Sequence, residues 1–391
     1  MIKKVILDKA DRLYHFPFDM EDFFPKRTIK TGERRIPTLD LGHFNWPHKN
    51  GKPDCGSNFL ASASPNDIAR LKESLSGWLN GEYRMAVDPR KEIYIGQGIH
   101  RIIFDLYLAF VELGDIVLCP EPGMPFYRRL AIAVGGVPVT YPISAKSNYK
   151  PSAVTLSSNL GKTAKILILN NPNNPFGTVL DDTELAETIR IASRQNTFII
   201  NDAAYCSLAP EKYRPLRSLP GGGKVSLEIY SIPFTFGLPY LPFGFAVGPS
   251  DVINGLETIG KTLGVSIPAV WVDQAMKSIA AYPSEGLREI KRKIDNTRLE
   301  AEQLVEKMEW KVIGEKSSPF LWIKIPERKQ AASYAAAILR RKHILTLPGT
   351  AFGETGEGHL RLSLTATPDE YREATARLMR KLTIKAISGE K

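Results

Sequence analysis

The sequence predicts an α/β fold, with a large domain on a mostly parallel sheet and a smaller α+β domain after it. Between about residues 92 and 248, short apolar runs alternate with amphipathic stretches, the pattern of strands and crossover helices in a sheet covered on both faces. Several of these runs break at their carboxyl ends into Gly, Asn, Pro or Asp, where such sheets place ligands. Past about residue 265 the alternation gives way to a long helical stretch and then grouped strands and helices, which reads as a separate unit.

Residues 1–45 interleave proline with aromatics and read as irregular. "SPNDIARLKESLSGWLNG" reads as a helix: Ser64 is a suitable N-cap, Pro65 suits the first helical position, and Ile68, Leu71, Leu75 and Trp78 fall on one face. Gly81 is placed to close it. "EIYIGQG" is a strand ending in glycine, "IHRIIFDLYLAFVELGD" a helix and "IVLCPEPG" the next strand. "KILILNNPNNPFG" is a strand that opens into an Asn/Pro loop, "DDTELAETIRIASRQN" an amphipathic helix and "TFIINDAAY" a strand with a polar end. "SLEIYSIP" and "GFAVG" complete the series. Beyond them come the helix "GLREIKRKIDNTRLEAEQLVEKM", the strand "FLWIKIP", a helix near "AASYAAAILRRKH", and "LTLPGTAFG" and "HLRLSL". The last helix is opened by a capping box from Thr367 to Glu370. There is no internal repeat.

At 391 residues and 43% hydrophobic content the chain can fill two cores. Cys55, Cys119 and Cys206 are scattered without a CxxC pair, which argues against a disulfide framework or zinc site and fits a reducing cytoplasm. The net charge of +10 is modest over this length, and the basic clusters "IKRKI" and "LRRKH" sit within helical patterns. They read as solvated helix faces, so no nucleic-acid partner is expected. The N-terminus lacks a signal-peptide core and no run reaches membrane-spanning length, so no membrane partner is expected either.

The ordered loops at the strand ends resemble the class I/II aminotransferases, the fold-type I enzymes of pyridoxal phosphate (PLP). "PEPGMPFYRR" is similar to PDPGYPxY, "NNPNNPFGT" to NPNNPTGT and "NDAAY" to DExY. "SIPFTFGLPYLPFGFAVG" is similar to SxSKTFGLxGLRxGxxxG, and "LPGTAFGETGEGHLRLSL" to PGxxFGxxGxGxxRxSx. The resemblance runs over roughly residues 35–385 and implies a homodimer with clefts near its interface, acting on an amino acid or keto acid.

By this resemblance Asp202 falls on the acid beside the pyridine nitrogen, Tyr205 and Asn174 on the pair that shares the ring's phenolic oxygen, and Ser231 on the phosphate cup. Gly98 and Ile99 fall on the phosphate-side helix opening, and Met124 on the ring-stacking position, with Phe126 and Tyr127 close by. Arg361 falls on the arginine that takes the substrate carboxylate, a planar match of guanidinium to carboxylate, with Gly42 also on the substrate side. The Schiff-base lysine position holds Phe234. The phosphate arginine is replaced by Pro242, the glycine between them by Tyr240, and the serine of the helix opening by Ile99. "SSPFLW" stands for the family's GGFYLW, and the tyrosine that reaches the partner's phosphate is missing around "NFLASASPNDIARL". Lys224 and Lys261 are out of register with the lysine position, while His100 and His43 are expected in loops near the cleft.

The expectation is therefore an aminotransferase-like chain with a degenerate cofactor site, a pseudoenzyme that binds an amino acid or related carboxylate through Arg361. PLP or pyridoxamine phosphate, if bound, would be noncovalent. An enzyme with a noncovalent cofactor and a scaffold that pairs with an active paralogue stand as alternatives. The expected domains are an N-terminal segment over 1–45 packing on the small domain, a large cofactor-type domain over 46–265 and a small domain over 266–391.

Overall fold

The computed structural model describes residues 38–43, 61–152, 155–156, 164–209, 213–239, 241–326 and 329–380. Most of the N-terminal stretch read as irregular, Cys55 and Tyr240 lie outside the described residues. The elements in chain order begin with β1 (Leu39–Asp40), α1 (Pro65–Tyr83), β2 (Ile93–Gly96), α2 (Ile99–Phe110), β3 (Ile116–Glu121), α3 (Phe126–Ala133), β4 (Val137–Pro142) and β5 (Ala164–Asn170). They continue with α4 (Asp182–Arg194), β6 (Phe198–Asp202), β7 (Ser226–Ser231), the short α5 (Ile232–Phe236), β8 (Gly244–Val247), α6 (Ser250–Thr262), α7 (Ala269–Ala280) and α8 (Glu285–Lys307). The last are β9 (Lys311–Ile313), β10 (Phe320–Lys324), α9 (Ala331–Lys342), β11 (Ile344–Leu345), β12 (Leu347–Pro348), β13 (His359–Ser363) and α10 (Pro368–Met379).

Seven strands form the large sheet in the order β2-β8-β7-β6-β5-β3-β4, parallel except for β8, which runs against both neighbours. Helices cover both faces. One apolar core joins Leu71, Leu75 and Leu79 of α1 to Phe245 and Val247 of β8 and to Val272, Ala275 and Ile279 of α7. Trp78 anchors it, edge-on to Tyr83, Tyr230, Phe236, Phe245 and Tyr282. The opposite face of the sheet packs on Ile102, Ile103 and Leu106 of α2. A second, antiparallel sheet, β12-β13-β10-β9, rests on α8 and α10, and β1 pairs in parallel with β11 beside it.

Local chemistry sets the element ends. Ser64 caps α1 through a reciprocal box with Asp67, and Thr367 does the same for α10 with Glu370. Gly81 does not close α1. The helix runs two residues further and ends on Arg84, which takes the left-handed conformation at φ 53°. Strand β4 and helices α3, α6 and α7 are additions to the sequence reading. The cleft between the sheets is bridged: the Glu121 carboxylate at the end of β3 accepts from the Glu354 N–H at 2.7 Å, and the Gly123 N–H donates to the Phe352 carbonyl at 2.9 Å. Among the described residues no helix is long and apolar enough to cross a membrane.

Candidate ligand-binding site

The carboxyl ends of β5, β6 and β7 meet the N-terminus of α2 around a cavity of about 320 Å³. Asp202, the last residue of β6, lies at its base, 4% exposed. Its Oδ2 accepts from the Tyr127 hydroxyl at 2.6 Å and its Oδ1 from the Ala204 N–H at 3.0 Å. Burial pushes the carboxyl up to about 6, against the lowering effect of these two bonds. A carboxylate has further acceptor positions, so Asp202 can still take a donor from the cavity.

Gly98 opens α2 at φ 88°, a conformation that favours glycine, and Ile99 and His100 follow in the first turn. His100 is thus helical rather than in a loop, and its ring lies 3.8 Å, centre to centre, from that of Phe126. Met124 and Phe126 form one wall, Ser231 and the α5 residues Pro233 and Phe234 another, with the exposed Pro242 at the rim and the buried Phe243 also on the lining. Phe234 is half-buried and meets Tyr205 edge-on at 4.9 Å.

Arg361 and Asn174 are not on this lining; they form an adjoining cluster. Arg361, on β13, is 3% exposed, with its guanidinium 3.8 Å over the ring of Phe320 and 4.9 Å from that of Phe352. It donates to the Asn174 Oδ1 at 3.2 Å and the Gly42 carbonyl at 3.1 Å, and its Nε has no partner. Both partners are neutral, and burial pushes the group down to about 10. Asn174 joins the two halves of the site: its Nδ2 donates to the Tyr205 hydroxyl at 3.3 Å and lies 3.4 Å from the Met124 sulfur. Gly42 is held by its own contacts, its N–H on Asp40 and its carbonyl on Arg361. His43 bonds Asp40 at 2.9 Å.

Three positions escaped the sequence reading. Tyr127 was noted only as a nearby aromatic, yet it holds Asp202 across 75 residues of chain. Asn170 donates to the Asp202 carbonyl and accepts from the Asn174 N–H, and its place at the head of the Asn/Pro motif was the available signal. Phe320 lies within "SSPFLW", and only the fold brings it under Arg361.

The base of the cavity fits a pyridine ring, with an acid at one edge, apolar faces and the Tyr205 hydroxyl beside it. The remainder does not fit PLP. No lysine or arginine lies among the described residues that line the cavity, so none of these residues can hold a Schiff base or pair a phosphate by charge. Lys224 is exposed on the surface, and Lys261 lines a separate cavity with Lys72, Tyr94 and Glu257.

The comparisons agree with this architecture. An LL-diaminopimelate aminotransferase of Aquifex aeolicus is 28% identical over 379 residues, covering 94% of this chain and 98% of the relative. One of Halothermothrix orenii is 28% identical over 309 residues, 78% of this chain and 79% of the relative. The solved N-succinyldiaminopimelate aminotransferase of Mycobacterium tuberculosis superposes with a TM-score of 0.84 at 21% identity, over 95% of this chain and 99% of that one. Substrate-bound BacF of Bacillus subtilis does so with a TM-score of 0.81 at 23% identity, over 87% and 89%. At these identities the structures speak for the fold alone. Residues 57–378 match the family described as aminotransferase class I and II, and the chain therefore belongs to that family, whose cofactor is PLP and whose substrates are amino acids and keto acids.

Proposed function

We infer that this chain binds an amino-acid-like carboxylate at Arg361 and does not form the internal Schiff base of its family. In this reading Phe234 holds the place of the lysine, and the chain is a pseudoenzyme, working as a homodimer. One observation carries the carboxylate: Arg361 is a buried cation with two neutral partners and an unpartnered Nε. Such a charge is costly alone, and a planar carboxylate supplies both the counter-charge and the matching acceptors. The names of the relatives make LL-diaminopimelate a natural member of the ligand panel.

A thermal-shift panel of amino acids, LL-diaminopimelate and keto acids, with wild type and Arg361→Ala side by side, tests the carboxylate. At least one carboxylate should stabilise the wild type and bind the variant about a hundredfold more weakly. An equal response in both, or none in the wild type, removes this reading. Borohydride reduction of the same wild-type sample with PLP should yield no pyridoxyl-lysine peptide from the cleft; finding one overturns the role given to Phe234. The retained Asp202, Tyr205 and Asn174 favour a second reading, an enzyme with a noncovalently held vitamin B6 form. Turnover of an amino acid, together with loss of that form on dialysis, would decide for it.

A further inference from the structure

We propose that the cavity over Asp202 binds a flat heteroaromatic base that carries no phosphate ester, so that this chain has reversed the phosphate preference expected of its cofactor site. The proposal rests on the reading that Phe234 holds the lysine's place. It concerns what the cavity selects, whereas Arg361 and its carboxylate belong to the adjoining cluster.

The charges and donors on the lining carry the inference. Asp202 is the acidic side chain on it, and no lysine or arginine accompanies it among the described residues. A phosphate dianion would add its charge to that of Asp202 with no lysine or arginine among these residues to pair it, only the α2 N-terminus and the His100 ring facing it. A ring nitrogen that arrives protonated, or that shares a proton with the carboxyl, meets the opposite situation. The bonds from Tyr127 and Ala204 already fix the carboxyl in place, with acceptor positions to spare.

At the far end of the cavity the α5 and 242–243 side offers no donor. Pro233 and Pro242 have no N–H, and the Phe243 N–H is spent on the Leu241 carbonyl at 2.7 Å. Opposite them, the first residue of α2 is Ile99, whose side chain brings no hydroxyl. What is left there is the Ser231 hydroxyl, the backbone of the α2 opening and the His100 ring on Phe126. The walls are Met124, Phe126 and Phe234, which suit the faces of a ring. A volume of about 320 Å³ lies at the lower end for small-molecule sites.

The test is isothermal titration of the full chain with pyridoxine and with pyridoxine 5′-phosphate. The two differ only in the phosphate, and neither has an aldehyde to react with surface lysines. Pyridoxine should bind at least tenfold more tightly than its phosphate. Asp202→Asn should weaken pyridoxine at least tenfold. Pro242→Arg, at an exposed rim position, should tighten the phosphate at least tenfold by adding a cation. Tighter binding of the phosphate by wild type, no detectable pyridoxine binding, or indifference to Asp202→Asn would each overturn the proposal. A phosphate preference without any borohydride-trapped lysine defeats this proposal alone; a trapped lysine defeats the reading of Phe234 beneath it.

Discussion

At the scale of single residues, Asp202 offers a test by pH. Its carboxyl titrates near 6 in the fold against 3.8 without it, because burial penalises the charged form. The native state therefore holds more protons than the unfolded chain between these values, and this group's contribution to stability falls as pH rises through that window. Asp202→Asn does not titrate. Relative to wild type it should gain stability between pH 4 and 7, by up to about 3 kcal/mol. Urea unfolding at both pH values measures the difference, in which the other titrating groups largely cancel. A gap that stays constant with pH would mean that Asp202 is ionised as easily as in water. The same residue marks how far the site was legible. Asp202, Tyr205, Ser231 and Met124 could be found because each falls within a motif that resembles the family's, and those motifs lie where apolar runs end and strand ends of a parallel sheet converge. Tyr127 could not be assigned its role, since its partner is 75 residues away and nothing local marks a tyrosine as the support of an acid.

At the scale of elements, the short helix α5, which carries Phe234, is tied down from outside. The Ser278 and Ser284 hydroxyls both donate to the Phe236 carbonyl, at 2.8 and 2.6 Å. Ser284 also caps α8 by accepting from the Leu287 N–H at 3.2 Å. Gly237 follows at φ 72°, and a Cβ there would come within 2.2 Å of the Leu287 nitrogen, so the two segments lie in direct backbone contact. Ser284→Ala should cost about 1–2 kcal/mol through the cap. Ser278→Ala should cost about 1 kcal/mol. The double variant should lose more than the sum, since the carbonyl then loses both hydroxyl donors. Denaturant melts of the three variants test this; simple additivity would show that the serines act separately. Two of the elements missed by the sequence reading have separate physical reasons. Strand β4, "VPVTYP", holds two prolines and reads as a loop, yet it lies at the sheet edge, where missing N–H donors are tolerated. Helix α3 spans only 8 residues, too few for a periodic pattern to stand out. Gly81 suited a helix end in sequence, but the left-handed position three residues later fell to Arg84.

At the scale of the whole molecule, two buried cysteines report on cooperativity. Cys206 sits in the core shared by α1, β8 and α7, and Cys119 in the core on the opposite face of the large sheet. Burial pushes the first thiol up to about 11 and the second up to about 12, so neither is a thiolate at neutral pH in the fold. Both should resist alkylation at pH 8 in the native protein and become reactive at one common urea concentration, read by peptide mass spectrometry. Separate midpoints would show that the two faces of the sheet unfold independently. The large alternating sheet was legible because parallel strands buried on both faces leave continuous apolar runs. The direction of β8 was not, because its apolar run would read the same either way.

The bridge across the cleft bears on movement. Glu121 and Gly123, which precede the wall residues Met124 and Phe126, are bonded to the 352–354 segment beside β12 and β13. Met124 and Phe126 are therefore coupled mechanically to the C-terminal sheet, although they belong in sequence to the large one. The same wall is tied to the floor as well, because Tyr127, next to Phe126, donates to Asp202. Arg361 rides on the same C-terminal sheet. The Arg361 cluster and one wall of the cavity are thus anchored to one and the same sheet.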